Sequence, residues 1–300
     1  MMKRICAAIL LLLSVLSLVA CDTSSAENPY PYDYTKKSFF FIKNCLDYAP
    51  KVTLSGVKNG APFDFKATED GYSVAQGAVS DGKYAYLCLV NTSANIDGEY
   101  MEACRIVKVD MDTWETVTVS QPLRTFHSNG IAYNSKTNKL VVVHNKPEFR
   151  KISVIDPETF EVERVVELDR NIQSISYSAK RDQYVVRMSG NWNFAVLDAD
   201  FHEVAYYATG VQTPLGSQCI VCDDERIYML DSGVIKMPGY ECITVYDWQG
   251  NYLGVYRIPS FQESEAIIIR NGEFYLTFFN GSGGRLYRLE LDLSLLDYKK

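Results

Sequence analysis

The chain has 300 residues, 47% of them hydrophobic, and 37 acidic against 30 basic residues give a formal net charge of −7 at pH 7. That length and apolar content are enough for one large core. The acidic balance argues against nucleic acid and anionic lipid surfaces as partners.

Met1–Ala20 reads as an export signal: Lys3 and Arg4 precede the nearly unbroken apolar run Ile5–Val19, which is shorter than the ~20 residues a spanning helix needs. Its end, Leu18-Val19-Ala20-Cys21, resembles the bacterial lipobox. The resemblance implies a diacylglycerol on the Cys21 sulfur and an extracytoplasmic protein of the bacterial cell envelope, held to the membrane by lipid. Losing Lys3 and Arg4 with the leader takes the net charge from −7 to −9. Residues 21–37 are polar and aperiodic and read as a flexible tether, leaving 38–300 as the folded domain, which is expected to be monomeric.

From residue 38 onward the pattern is that of short strands. Two apolar runs, Ser38–Ile42 and Val52-Thr53-Leu54, and then Phe63-Asp64-Phe65, precede a repeat. Five times an alternating apolar run ends in Asp before a turn, at Asp110, Asp156, Asp198, Asp247 and Asp292, with steps of 46, 42, 49 and 45 residues. A period in that range, built from short strands, points to an all-β propeller of four-stranded blades. Each unit opens with a weakly charged strand (Gly77–Val79, Gly130–Tyr133, Ile175–Tyr177, Cys219–Val221, Ala266–Ile269) and a polar turn. A strongly apolar strand follows, then the Asp-terminated strand, then a more polar edge strand such as Thr116–Val119. The repeated Asp is expected to accept backbone N–H groups in its turn. The fifth unit ends without room for a fourth strand, so an N-terminal strand, Phe63–Phe65, is expected to close the ring. Five blades are favoured, and six, with 38–67 as the sixth, is the alternative.

Six cysteines remain after Cys6 and Cys21. Cys88 could pair with Cys104, and Cys242 with Cys219 or Cys222, or all could be small buried hydrophobes. Cys219 and Cys222 fall on opposite faces of one strand, which argues against a redox or zinc motif.

Connections on one face are long, Asn91–Ala103 and Ser232–Glu241 above all, and binding in such scaffolds concentrates on long loops. On that face the residues entering the innermost strands are Gln76, Asn129, Gln173, Gln218 and Glu265, flanked by His127, Ser128, Ser217 and Glu263. They are expected to converge at the mouth of a central channel and either hold water or bind a small molecule, glycan or peptide. Arg187 either enters the channel to pair with Glu263 or Glu265 or points to solvent. Trp192 is a stacking platform or rim packing. Glu263 and Glu265 are the candidates for acid–base work.

Asn129-Gly130-Ile131-Ala132, followed by Asn134 and Leu140-Val141-Val142, resembles the inner-strand motif of SMP-30/gluconolactonase and NHL/YVTN-type propellers. The lactonase resemblance implies a Ca²⁺-dependent hydrolase with Asn129 as a metal ligand, although Gln76 stands where those enzymes carry Glu. Bacterial glutaminyl cyclases are similar at the level of fold, and that likeness implies an essential Glu for which Glu265 is the candidate.

Overall fold

The computed structural model describes residues 45–67, 71–189, 192–209, 215–234 and 237–296. The signal, Cys21, the tether and the run Ser38–Ile42 lie outside the described residues. Residues 45–48 are helical. Two short strands follow, β1 (Thr53–Ser55) and β2 (Phe63–Phe65). Blade 1 comprises β3 (Val74–Ser80), β4 (Tyr84–Ile96), β5 (Glu99–Asp110) and β6 (Glu115–Val119). Blade 2 comprises β7 (Gly130–Asn134), β8 (Lys139–Val143), β9 (Lys151–Ile155) and β10 (Val162–Glu167). Blade 3 comprises β11 (Ile172–Ser178), β12 (Gln183–Met188), β13 (Phe194–Leu197) and β14 (Glu203–Tyr207). Blade 4 comprises β15 (Gly216–Cys222), β16 (Arg226–Ser232), β17 (Glu241–Asp247) and β18 (Tyr252–Ile258). Blade 5 contributes β19 (Ser264–Arg270), β20 (Glu273–Phe279) and β21 (Gly284–Glu290). The protein is a five-bladed β-propeller, and the six-blade alternative is excluded.

The missing fourth strand of blade 5 comes from the N-terminal side. Phe63–Phe65 pairs with Gly284–Leu286 as expected, and Thr53–Ser55 continues the edge against Arg288–Glu290. Two short strands laid end to end thus cover the open edge of β21. Of the N-terminal runs expected to form strands, Val52-Thr53-Leu54 does so in part, whereas 45–48 is a helical turn that packs Leu46 into the core. Among the described residues no helix is long and apolar enough to cross a membrane.

The core lies between blades. One cluster joins blades 1 and 2 (Cys88, Ile106, Ile131, Val142), another blades 2 and 3 (Val141, Ile152, Ile175, Val186), and a third blades 3 and 4 (Val185, Phe194, Ile220, Ile227). A fourth closes the ring through blades 4, 5 and 1 (Leu230, Ile267, Leu276, Leu87). The strong alternation of the second and third strands supplies both faces of each sheet, so every blade is a wall shared by two core layers.

The Asp repeat is turn chemistry. Asp110 Oδ1 accepts the N–H groups of Asp112 (2.9 Å) and Thr113 (3.0 Å), and Asp156 does the same from Glu158 and Thr159. Asp198 and Asp247 accept from the residues two and four on, and Asp292 accepts from Ser294. Those donors, with Lys139, bring the Asp156 carboxyl down to about 2. Four of the five turns use a left-handed residue: Trp114, Phe160 and Phe201 at φ of 54°, 58° and 70°, and Gly250 at 80°. The three aromatics are buried, so packing offsets a conformation that costs a side-chain-bearing residue on the order of 1 kcal/mol. In blade 4 the Tyr207 ring occupies that space, 2.4 Å from where a Cβ on Gly250 would sit, and only glycine fits.

One expectation fails in blade 1, and at the cysteines the buried alternative without disulfides holds. Asn91–Ala103 is not an insertion loop: β4 and β5 run on as a ribbon that turns at Asp97-Gly98, both at positive φ. All six described cysteines are buried, and none of them is joined in a disulfide. Cys219 and Cys222 do face opposite ways, into different core clusters, and burial pushes each thiol up to about 12, which makes both poor nucleophiles.

Candidate functional site: the channel mouth

The five aligned polar residues occupy equivalent places at the top of the innermost strands, and all are buried, from 4% exposed for Glu265 to 8% for Gln173 and Gln218. What aims them is a β-bulge repeated in four blades. The β3–β4 register slips between Ala75 and Ala78, around Gln76. It slips again between Ile172 and Ser174 at Gln173, between Ser217 and Ile220 at Gln218, and between Ser264 and Ala266 at Glu265. An extra residue in one strand re-aims a side chain that regular pleating would turn into a blade face. Blade 2 reaches the same end differently: Asn129 precedes β7, and the neighbouring Ser128 and Phe126 adopt φ of 44° and 51°. Gly130 lets the inner strands close up here, since a Cβ on it would fall 2.5 Å from Ser174 Cα.

Most contacts around the mouth run between adjacent blades at one repeat's separation. Gln218 Nε2 donates to Glu263 Oε1 (2.9 Å), 45 residues away. Gln173 bonds to the Ser217 carbonyl and hydroxyl, 44 residues away. Ser174 Oγ accepts from Ile220 N (3.1 Å), 46 residues away. Asn129 Nδ2 donates to Gln76 Oε1 (2.8 Å), and Asn145 donates to Asn129 Oδ1. Gln76 Nε2 reaches Glu265 Oε2 at 3.5 Å, a weak contact. Burial pushes the Glu265 carboxyl well above the usual carboxylate range, and the charges of Glu263 and Glu241 push it further. These surroundings favour the protonated form of Glu265, in which it can donate a hydrogen bond or a proton.

The remaining candidates lie apart from this ring. Arg187 does not enter the channel and does not point to solvent. It is fully buried between blades 3 and 4, donating from Nη2 to Asp231 Oδ1 (2.5 Å) and from Nη1 to the carbonyls of Leu230 (2.6 Å) and Cys219 (3.4 Å). Neither Glu263 nor Glu265 is its partner, because a partner one period away in β16 lies directly across the blade interface. Trp192 is half-buried, and its Nε1 donates to the same Asp231 oxygen (2.9 Å), so it closes over the ion pair. His127 contacts Glu102 on the β4–β5 ribbon (3.1 Å). His144 lies between Glu148 (3.2 Å) and Ser153 (2.8 Å), and burial lowers its pKa.

Sequence reasoning missed Asp231, Glu241 and Asn145. Asp231 was accessible in principle: it ends an apolar strand one repeat beyond Arg187. Asn129, the lactonase-type ligand, spends its amide on Gln76 and Asn145, and among the described residues no group of three or more His, Cys, Asp or Glu side chains could hold a metal.

No family model matches the sequence, and no curated protein matches it. Among solved structures the chain is similar to the glutaminyl cyclase of Myxococcus xanthus, with a TM-score of 0.57 and 13% identity over 80% of this chain and 96% of that one. It is also similar to a chain of the nidogen/laminin complex (TM-score 0.46, 13% identity, 69% and 73% covered). A third likeness is to hydrazine synthase of Kuenenia stuttgartiensis (0.42, 16%, 71% and 57%). At such identities the likeness to the cyclase is one of fold, and it agrees with the five-bladed β-propeller described above.

Proposed function

We propose that this chain is an extracytoplasmic propeller, tethered to a bacterial membrane through a lipidated Cys21, that binds a small molecule, glycan or peptide over its channel mouth. The observation that carries the reading is Glu265: a buried carboxyl in contact with the Gln76 amide, in the ring of equivalent positions that Gln76, Asn129, Gln173 and Gln218 share, with surroundings that favour its protonated form. Amides supply donors and acceptors together, which suits hydroxyl or peptide groups. A neutral acid adds a strong donor without the desolvation cost of a buried charge.

A screen of neutral oligosaccharides and short peptides by isothermal titration tests this. A ligand so found should lose about tenfold in affinity in Gln76→Ala, from one lost hydrogen bond, and bind undetectably in Gln76→Ala/Glu265→Ala. Unchanged affinity in the double variant would overturn the reading.

A second reading, with Glu265 as general acid or base, draws on the same neutral carboxyl and on the fold shared with the Myxococcus xanthus glutaminyl cyclase. Ammonia release from a glutaminyl peptide, abolished in Glu265→Gln, would select it over simple binding. The tether has its own test. Cys21→Ser should shift the protein from the membrane fraction to the soluble one, because two acyl chains anchor stably and a polar tether does not. An unaltered distribution would count against lipidation.

A further inference from the structure

Glu241 opens β17 in blade 4, and none of its surface is exposed. A lone carboxylate there would be costly, yet every side of it is met by a donor. Oε1 accepts from Ser232 Oγ (2.9 Å) and from Gly233 N (2.9 Å). Oε2 accepts from Ser264 N (3.1 Å) and from Ser264 Oγ. Four donors match the four acceptor sites of an ionised carboxylate. The first pair belongs to the end of β16 in the same blade. The second pair belongs to the first residue of β19 in the next blade, and the residue after Ser264 is Glu265, at the bulge.

We propose that Glu241 is the positioning residue of Glu265, fixing the Ser264–Glu265 backbone at the start of the bulge and, in its ionised form, placing a negative charge behind it. The inference rests on the reading in which Glu265 is the mouth's ligand-contacting group. A bulge alone permits several orientations of its extra residue. Two hydrogen bonds to the preceding residue, from a carboxylate anchored at its other oxygen to β16 and the Gly233 amide, remove that freedom. The charged groups near Glu265 are few. Glu263 precedes it in chain, Glu241 reaches it from β17, and behind β15 lies the Asp231 carboxylate of β16, already paired with Arg187 of β12. Of these, Glu241 and Glu263 act on Glu265 in the direction of keeping its proton.

The test uses the full chain with isotope-labelled glutamate carboxyls, followed by NMR against pH, with the Glu265 signal assigned by its loss in Glu265→Gln. In Glu241→Gln, which keeps the shape and removes the charge, the Glu265 midpoint should shift downward. In Ser264→Ala, which removes one of the four bonds and leaves the charge, the midpoint should also fall as the bulge relaxes toward solvent. If Glu241→Gln does not fold, Ser264→Ala decides alone. A midpoint equal to wild type in the variants that fold overturns the positioning role. A wild-type Glu265 that titrates in the ordinary carboxylate range overturns instead the reading of the mouth on which the inference rests.

Discussion

Replacing Arg187 by Met should destabilise the protein by about 3–5 kcal/mol in a urea-unfolding measurement, close to the whole margin of a domain of ordinary stability. The reason is what remains behind. Asp231 is buried to the same degree as Arg187, and without the guanidinium its carboxylate keeps, among the described residues, only Trp192 Nε1 as a side-chain donor. Burial already pushes the Asp231 carboxyl up, and Arg187 and Trp192 pull it back. The pair is also incompletely satisfied, since Arg187 Nε and Asp231 Oδ2 are buried with no hydrogen-bond partner among the described residues. The double variant Arg187→Met/Asp231→Leu should therefore recover most of the loss, because an apolar pair of similar volume avoids both desolvation penalties. A single variant within 1 kcal/mol of wild type would contradict this account of the blade 3–4 interface.

The architecture was legible because turn chemistry repeats. Asp110, Asp156, Asp198, Asp247 and Asp292 each cap a turn for a local reason, so their spacing counts blades whatever the function. Ring closure was legible from a deficit: the fifth unit lacked a strand, and Phe63–Phe65 lay at the right distance to supply it. The ribbon 91–103 was misread because Asn91, Thr92, Ser93 and Asn95 look like loop residues. Its strand character comes from pairing across a tight turn, which composition does not report. Arg187 was misplaced for a different reason. A charged residue in an apolar strand has two cheap fates in sequence, channel or solvent, and the third, a buried partner one blade away, needs the ring's geometry. The alignment of Gln76, Asn129, Gln173, Gln218 and Glu265 followed from the repeat, but the bulges that aim them depend on one extra residue per strand that no periodicity reveals.

The second large effect concerns pH. Glu265 carries a folded-state pKa raised above its unfolded value near 4.5, so the folded protein holds a proton that the unfolded chain releases. By linkage, stability is highest where both states are protonated and falls as pH rises above the unfolded value, until the folded carboxyl itself ionises. The loss from this one group has a slope of up to about 1.4 kcal/mol per pH unit. Asp231 and Glu241 are raised in the same direction and contribute alike, so the informative quantity is the difference between wild type and Glu265→Gln. Glu265→Gln cannot ionise and should gain on wild type as pH rises above the unfolded value, until the folded carboxyl of wild type ionises. Parallel curves would mean that Glu265 titrates alike in both states.

The most direct measurement is the protonation state of that carboxyl at neutral pH. An infrared difference spectrum between wild type and Glu265→Gln at pH 7 should contain the C=O stretch of a protonated carboxylic acid, present in wild type and absent from the variant. A difference spectrum holding only carboxylate bands would show Glu265 ionised, and would contradict the claim that a neutral acid organises the channel mouth.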